Sequence, residues 1–345
     1  MDVKQSSDTS LEVATQRTPL TGVRTVFQRV SVIILAKNEA EHIGRCIDSA
    51  FSSLERVESE SLGLEVVVVD NESTDATARI AVERGAKLVR SGSEFLGELR
   101  NLGAAESSGD VLAYIDGDCS ASPEWLASAL RTLQLSDVHA VTGVIDLPEE
   151  CSWVERAWLL PANPEPTLTS KVLGASFFCV REAFDAVDGF DDTMSAGEDS
   201  DLGTRLTAAG FRIRLEPDCR VIHWGYPSTL RGVIDRQAWH VGGRSGSTPV
   251  FRDRSVIAAL VVVALLGGGL GLMAFGIWRV GFVAFVLGLI PPFIFLQVRR
   301  KRVRAKLSGW ETVKAFVVSV AYFMGRAKGA VYRACGLRFE HSHKR

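Results

Sequence analysis

Residues 111 to 118 read Val-Leu-Ala-Tyr-Ile-Asp-Gly-Asp, five apolar residues that run into two carboxylates one residue apart. An apolar run bounded by turn residues has the pattern of a buried strand, and the acids fall where that strand leaves the core. Side chains at i and i+2 of an extended chain point the same way, so Asp116 and Asp118 can face one site while Gly117 lets the backbone bend between them. Such a pair suits a hard divalent cation, Mg²⁺ or Mn²⁺, which takes one or two carboxylates and fills its other positions with phosphate oxygens and water. A solvated turn with two incidental acids has the same local sequence, so the surroundings decide.

Upstream, the apolar run Ser31–Ala36 leads into Lys37, Asn38 and Glu39, and then into apolar residues at helical spacing from Ile43 to Leu54. The pattern recurs: Glu65–Asp70 is a second strand that ends in Asp70 and Asn71, a helix follows from Ala76 to Arg84, and Ala86–Arg90 is a third strand. Strands alternating with helices predict a mostly parallel sheet covered on both faces, with ligands beyond the carboxyl ends of the strands. Three strands thus deliver polar groups to one edge. Arg100 lies on the helix before the fourth strand, and its planar donors suit a phosphate or a base carbonyl; a solvated surface arginine is the alternative.

Downstream, Ala140–Ile145 and Gly174–Val180 read as strands, with a less regular Pro-containing stretch from Pro148 to Thr169 between them. The small residues at the start of the second allow close backbone approach to a ligand. A second acidic cluster, Gly197-Glu198-Asp199-Ser200-Asp201, opens a helix that Gly210 closes, and acids there also answer the helix dipole. Phe211–Leu215 and Cys219–Ile222 read as two short strands before His223 and Trp224. A metal-binding acid pair and a separate carboxylate suit group transfer from a diphosphate-activated donor, the metal countering charge on the leaving group and the carboxylate taking a proton from the incoming hydroxyl.

These motifs, in this order, resemble the family 2 glycosyltransferases of the GT-A fold, in their membrane-anchored bacterial form. The resemblance covers Arg29 to Trp224 and rests on Ser31–Glu39, Val69–Asp75, Ile115–Asp118 and Gly197–Asp199, with Arg100–Gly103 and the Gly189-Phe190-Asp191 turn in support. It implies inverting, single-displacement transfer of a sugar from a nucleotide diphosphate, a UDP-sugar foremost. It places Asp199 as the catalytic base and Glu39, Asp70, Arg100, Asp116 and Glu198 against the substrate, with Asp70 at the nucleotide base. Asp118 would hold the metal-diphosphate. His223 falls where some members have a further metal ligand, although a histidine ending a strand also serves as a structural hydrogen-bonder. The Gln-x-x-Arg-Trp motif of processive members does not fit Arg236-Gln237-Ala238-Trp239, which points to single addition. Two alternatives are a nucleotidyltransferase on the same sheet and a non-catalytic, membrane-anchored nucleotide-sugar-binding protein. The first would need a Gly- and basic-rich loop after its first strand, which Lys37-Asn38-Glu39-Ala40 is not, and Asp116, Asp118 and Asp199 together argue against the second.

The 345 residues carry a net charge of −2, which gives no reason to expect a nucleic-acid partner. The six cysteines have no metal-type spacing and read as reduced thiols, and the N-terminal residues contain no apolar signal-peptide core. Apolar content is 46%, concentrated late in the chain. Val256–Ile277 is uncharged and about 33 Å long as a helix, enough to cross a bilayer core, and Val280–Val298 is a second such run, broken by Pro291 and Pro292. Basic residues flank both outer ends, which predicts an inner (cytoplasmic) membrane location with the catalytic domain in the cytosol and an acceptor that is lipid-linked or membrane-presented. The expected organisation is a disordered lead (1–28), a catalytic domain (29–227), an interfacial linker helix (228–254), two transmembrane helices (255–298) and a basic tail with an amphipathic helix (299–345) that meets membrane lipid.

Overall fold

The structure, a computed structural model, describes residues 27–59, 61–135, 137–160, 164–194, 196–242 and 253–335. The expected polar lead up to residue 26, linker residues 243–252 and the tail from residue 336 lie outside them. The first half alternates strand and helix: β1 (Arg29–Ala36), α1 (Ile43–Ser52), β2 (Gly63–Asn71), α2 (Thr77–Glu83), β3 (Lys87–Ser91), α3 (Leu96–Ala105) and β4 (Val111–Asp116). Then come β5 (Cys119–Ala121), α4 (Trp125–Leu133), β6 (Ala140–Asp146), α5 (Trp153–Leu159), β7 (Thr167–Thr169), β8 (Phe177–Val180), α6 (Arg181–Asp185), α7 (Glu198–Ala208) and β9 (Ile213–His223). Four helices follow: α8 (Leu230–Gly242), α9 (Arg254–Ala274), α10 (Trp278–Arg302) and α11 (Gly309–Ala334).

One sheet runs in the order β3-β2-β1-β4-β8-β6-β9-β5, with β7 also paired to β9. It is parallel from β3 to β4 and mixed beyond, because β8 enters antiparallel to both β4 and β6. Alternating side chains on each central strand feed two cores, one per face. Val111, Ala113 and Ile115 of β4 join Ile43 and Ile47 of α1 and Trp125 of α4 on one side. Leu112 and Tyr114 join Ala104 of α3, Phe184 of α6 and Leu202 and Leu206 of α7 on the other. Register sets the strand ends level to within one residue: Ala36 of β1 lies opposite Asp70 and Leu35 opposite Asp116. The two acids therefore emerge on either side of β1, roughly 10 Å apart.

Three local expectations need correction. The two strands read over 211–215 and 219–222 are one, β9, which stays extended past Pro217 because its register against β6 shifts between Thr142 and Val144. The carbonyl of Cys219 occupies the place a side chain would take at Gly143, so the irregularity depends on that glycine. The stretch from Pro148 to Thr169 contains α5, opened by a reciprocal cap in which Ser152 Oγ accepts the Glu155 N–H and Glu155 accepts the Ser152 N–H. Pro291 and Pro292 do not break the second apolar run; α10 continues through them. Prolines are tolerated in such apolar helices where neighbouring helices and local adjustment make up for the lost hydrogen bonds.

Helices α9 and α10 form a hairpin, and both are long and apolar enough to cross a membrane. They meet at Gly269 and Gly281, where either Cβ would run into the other helix's backbone. Many of their apolar side chains face outward; Phe282 of α10, for example, is 61% exposed. α11 packs against α8, α9, α10 and α5 through a face that includes Ala315, Val318, Ala327 and Ala330. Arg299, near the end of α10, donates to the carbonyls of Ala157 and Trp158 on α5 and so joins the hairpin to the domain built on the sheet.

Candidate active site

At the parallel end of the sheet the loops after β1 and β2 are stitched together. The Asn38 N–H donates to Ser73 Oγ (2.9 Å), the Thr74 N–H donates to Asn38 Oδ1 (2.8 Å), and the Glu39 N–H donates to Thr77 Oγ1 (2.7 Å). Asn38 takes a positive φ of 56°, which Asn tolerates better than most residues. The buried Glu39 also accepts the His42 and Ile43 N–H groups at its carbonyl, which starts α1. Asp70 is 3% exposed and accepts the Ser73 N–H at 3.3 Å, so the end of β2 holds a nearly buried carboxylate at the loop crossing.

Beyond β4 a second group gathers. One ligand atom each from Asp116, Asp118, Cys119 and His223 lies within 4.8 Å of the others. Strand pairing explains the meeting, because β5 sets Cys119 opposite His223 of β9, and the Trp224 N–H donates to the Asp118 carbonyl (2.9 Å). Asp118 Oδ2 lies 3.7 Å from His223 Nδ1, which accepts the Gly225 N–H at 3.0 Å. Burial pushes the His223 imidazole below its ordinary pKa, with Asp118 opposing, which favours the neutral ring; its one lone pair, on Nδ1, is held by the Gly225 N–H, which a cation would have to displace. Burial and then the Asp118 and Asp116 carboxylates push the Cys119 thiol well up, which keeps it protonated. Two carboxylates and a neutral imidazole fit Mn²⁺ or Mg²⁺, with the nitrogen donor suiting Mn²⁺ the better of the two. The fit has a steric signature: a Cβ at Gly225 would fall on Asp118 Oδ2, so glycine there leaves the carboxylate its place.

Arg100 joins this group to the acidic start of α7. Its Nη2–H donates to Asp116 Oδ1 (3.3 Å), its Nε–H to Glu198 Oε1 (3.3 Å) and its Nη1–H to the Gly174 carbonyl (3.2 Å). The side chain is 5% exposed, so the solvated-arginine reading fails. Its donors are turned to protein groups, which makes it the strut between Asp116 and Glu198. Burial works against its charge, but Asp116 and Glu198 outweigh burial and raise its pKa. The Glu198 carboxyl is raised by burial despite Arg100. Asp199, next along the chain and partly exposed, accepts the Gly174 N–H at 3.4 Å. Gly174 thus touches Arg100 through its carbonyl and Asp199 through its N–H, and a Cβ there would meet the guanidinium at 2.6 Å.

The remaining residues of the Arg100–Gly103 motif are structural. Asn101 Nδ2–H donates to the Phe190 carbonyl (2.8 Å) and its Oδ1 accepts the Phe190 N–H (2.9 Å), which docks the Gly189-Phe190-Asp191 turn on α3. Gly103 lets α3 approach Ile33 and Val69 on the sheet. Sequence reasoning missed Cys119 as a member of the cation group, and also Gly225 beside it. Its place two residues after a strand-ending histidine was the local sign of Gly225.

This combination of sheet, level acids and bridged acidic helix start is the arrangement of a GT-A transferase. The sequence matches the model of glycosyl transferase family 2 over residues 31–179 and that of glycosyl transferase family group 2 over residues 111–298, and the chain belongs to the family 2 glycosyltransferases. Among its relatives, the pre-mycofactocin glycosyltransferase of Mycobacterium tuberculosis is 30% identical over 311 residues, 85% of this chain and 61% of that protein. The chain therefore spans about three fifths of that relative's length. Glycosyltransferase AglE of Haloferax volcanii is 29% identical over 62% of this chain and 71% of its own. A mannosyltransferase from Pyrobaculum calidifontis, solved with GDP-Man and Mn²⁺, superimposes over 89% of this chain and 87% of its own with a TM-score of 0.52 at 20% identity, a likeness of fold.

Proposed function

We propose that the protein moves one sugar from a nucleotide diphosphate donor to a hydroxyl of a lipid-linked or membrane-presented acceptor, by a single displacement that inverts the anomeric centre. The observation that carries this reading is the Arg100 bridge, which ties the cation group of Asp116 to the Glu198–Asp199 start of α7 across Gly174. Asp70, buried beside the stitched loops, is suited to the nucleotide base, and Glu39 lines the same edge. Asp116, Asp118 and His223 would hold Mn²⁺ or Mg²⁺, which when bound counters the charge that builds on a departing diphosphate.

The chemistry then falls to Asp199. Its carboxylate takes the proton from the acceptor hydroxyl as that oxygen bonds to the anomeric carbon and the bond from carbon to the diphosphate oxygen breaks. Glu198 and the Gly174 N–H set the position of Asp199, and Arg100 keeps Asp116 and Glu198 from repelling each other. The lack of a Gln-x-x-Arg-Trp match around Arg236–Trp239 supports single addition. The outward apolar faces of α9 and α10 and the basic run Arg299–Arg302 support a hairpin in the inner membrane with the sheet domain on the cytosolic side.

The test is a screen of UDP-sugars and GDP-mannose with Mn²⁺ or Mg²⁺, run on the full chain in detergent against lipid-linked and soluble acceptors. Asp199→Asn should lose about a hundredfold to ten-thousandfold in transfer while still binding nucleotide. An Asp199→Asn enzyme that transfers normally overturns the assignment of the base, and transfer to soluble acceptors alone overturns the membrane acceptor.

A further inference from the structure

His223 ends β9, and the chain leaves it through Trp224, Gly225 and Tyr226. An arginine lies over an aromatic ring on each flank of this turn. Arg45 of α1 sits 4.0 Å from the centre of the Trp224 ring, whose Nε1–H donates to Ser120 Oγ (3.2 Å). On the other flank, Arg236 of α8 lies 5.3 Å from the centre of the Tyr226 ring and donates an Nη1–H to the Gly225 carbonyl (2.9 Å). Both residues that Arg236 grips touch the imidazole. The Gly225 N–H donates to Nδ1, and the Tyr226 ring lies 4.3 Å from the His223 ring, inclined at 30°.

The clamp is anchored from behind. A Cβ at Gly325 or Gly329 of α11 would run into the α8 backbone at Ile234 or Ala238, so the two helices are in close backbone contact. The Lys328 ammonium pairs with Asp235 of α8 (2.6 Å), and Arg326 of α11 pairs with Asp253 (2.8 Å), whose side chain also caps α9. A continuous packed path therefore runs from the membrane-sized hairpin through α11 and α8 to the histidine.

We propose that Arg236 is a positioning residue of the cation site, holding the His223 imidazole through the Gly225 carbonyl and the Tyr226 ring, and so coupling the site to the helices stacked on the hairpin. The inference rests on the cation site of the proposed function. Two effects of removing Arg236 have opposite signs. A guanidinium repels a nearby cation, and the Gly225 N–H that Arg236 holds in place competes with a cation for the one Nδ1 lone pair, so loss of charge and of that hold predicts tighter cation binding. Releasing the Tyr226 ring, which orients the imidazole without occupying its lone pair, instead weakens binding, commonly about tenfold to a hundredfold.

The experiment is a titration of the full chain in lipid nanodiscs with Mn²⁺ alone, free Mn²⁺ being read by electron paramagnetic resonance. Without nucleotide present, a contact between Arg236 and a donor phosphate makes no contribution. Thermal unfolding without metal reports whether each variant is folded. Arg236→Ala and Tyr226→Ala should each bind Mn²⁺ about tenfold more weakly than wild type. Arg236→Lys should fall between, because an ammonium can reach the carbonyl but lacks the planar stack. Folded Arg236→Ala with equal or tighter Mn²⁺ binding overturns the proposal. Should Arg236→Ala fail to fold, wild-type affinity in both Arg236→Lys and Tyr226→Ala overturns it. Wild type that binds no Mn²⁺ overturns the cation site along with the clamp, whereas binding lost in Asp118→Asn but kept in Arg236→Ala removes the clamp alone.

Discussion

The two halves of the sheet reach the candidate site by different routes. In the parallel half, β1, β2 and β4 each run from a buried apolar core straight into a polar residue, and register alone sets Asp70 and Asp116 level on either side of β1. In the mixed half the contributing groups come from loops, a helix start and a strand end that only long-range contacts bring together: Gly174 before β8, Glu198 at the start of α7, and His223 and Gly225 where β9 ends. The parallel half supplies a fixed edge, and the mixed half closes over it. Within the site, the Arg100 side chain reaches from the first half into the second, and Asn101 beside it docks the Gly189-Phe190-Asp191 turn.

Removing that link should have the largest effect. Arg100→Ala leaves buried Glu198 beside Asp116 and Asp199 with its cation gone, and breaking a buried pair in this way costs about 3–5 kcal/mol. Chemical denaturation should register that loss, and a loss below about 1 kcal/mol would mean that the halves hold together without the bridge. Gly225→Ala tests the mixed half alone. The new methyl group competes with Asp118 Oδ2 for space, so Mn²⁺ binding measured by calorimetry should weaken about tenfold to a hundredfold while the parallel half stays folded.

A smaller effect is expected in the pH dependence of stability. Burial raises the Glu198 pKa above its unfolded value, so across the interval just above the ordinary carboxylate pKa the folded protein holds more protons than the unfolded chain. Stability attributable to Glu198 is therefore present at low pH and is lost as pH rises through the folded pKa. Glu198→Gln should flatten that part of a melting-temperature profile, and an unchanged slope would show that Glu198 does not titrate in this way. The smallest effect belongs to the exposed α2 pair: Arg79→Ala, which removes an i,i+4 contact with Glu83 at 2.7 Å, should change stability by less than about 0.5 kcal/mol. A larger change there would point to a role for α2 in holding the stitched loops.

How far the sequence could be read follows the same division. A strand buried on both faces is written as a continuous apolar run, and its end is marked by the first polar residue, so Asp70 and Asp116 were visible as candidate site residues before any contact was known. The acids at Glu198 and Asp199 were visible as a cluster, but their tie to Asp116 depends on a three-way bridge through Arg100 and Gly174, three distant segments with no shared periodicity. β5 is three residues long, too short for a pattern, and with it went the pairing that brings Cys119 and His223 together. β9 read as two strands because Pro217 interrupts it, and the bulge that absorbs Pro217 is set by Gly143 on another strand. The start of α5 did carry a local signal, a Ser-x-x-Glu cap at Ser152 and Glu155, which the surrounding prolines obscured.

The convergence of both halves on one cation can be seen directly by anomalous diffraction from crystals of the protein soaked with Mn²⁺ and a nucleoside diphosphate. A single manganese peak within ligating distance of Asp116, Asp118 and His223, with the diphosphate on the side facing Asp199, is the result expected. Manganese bound elsewhere, with the carboxylates of Asp116 and Asp118 left unligated, would contradict it.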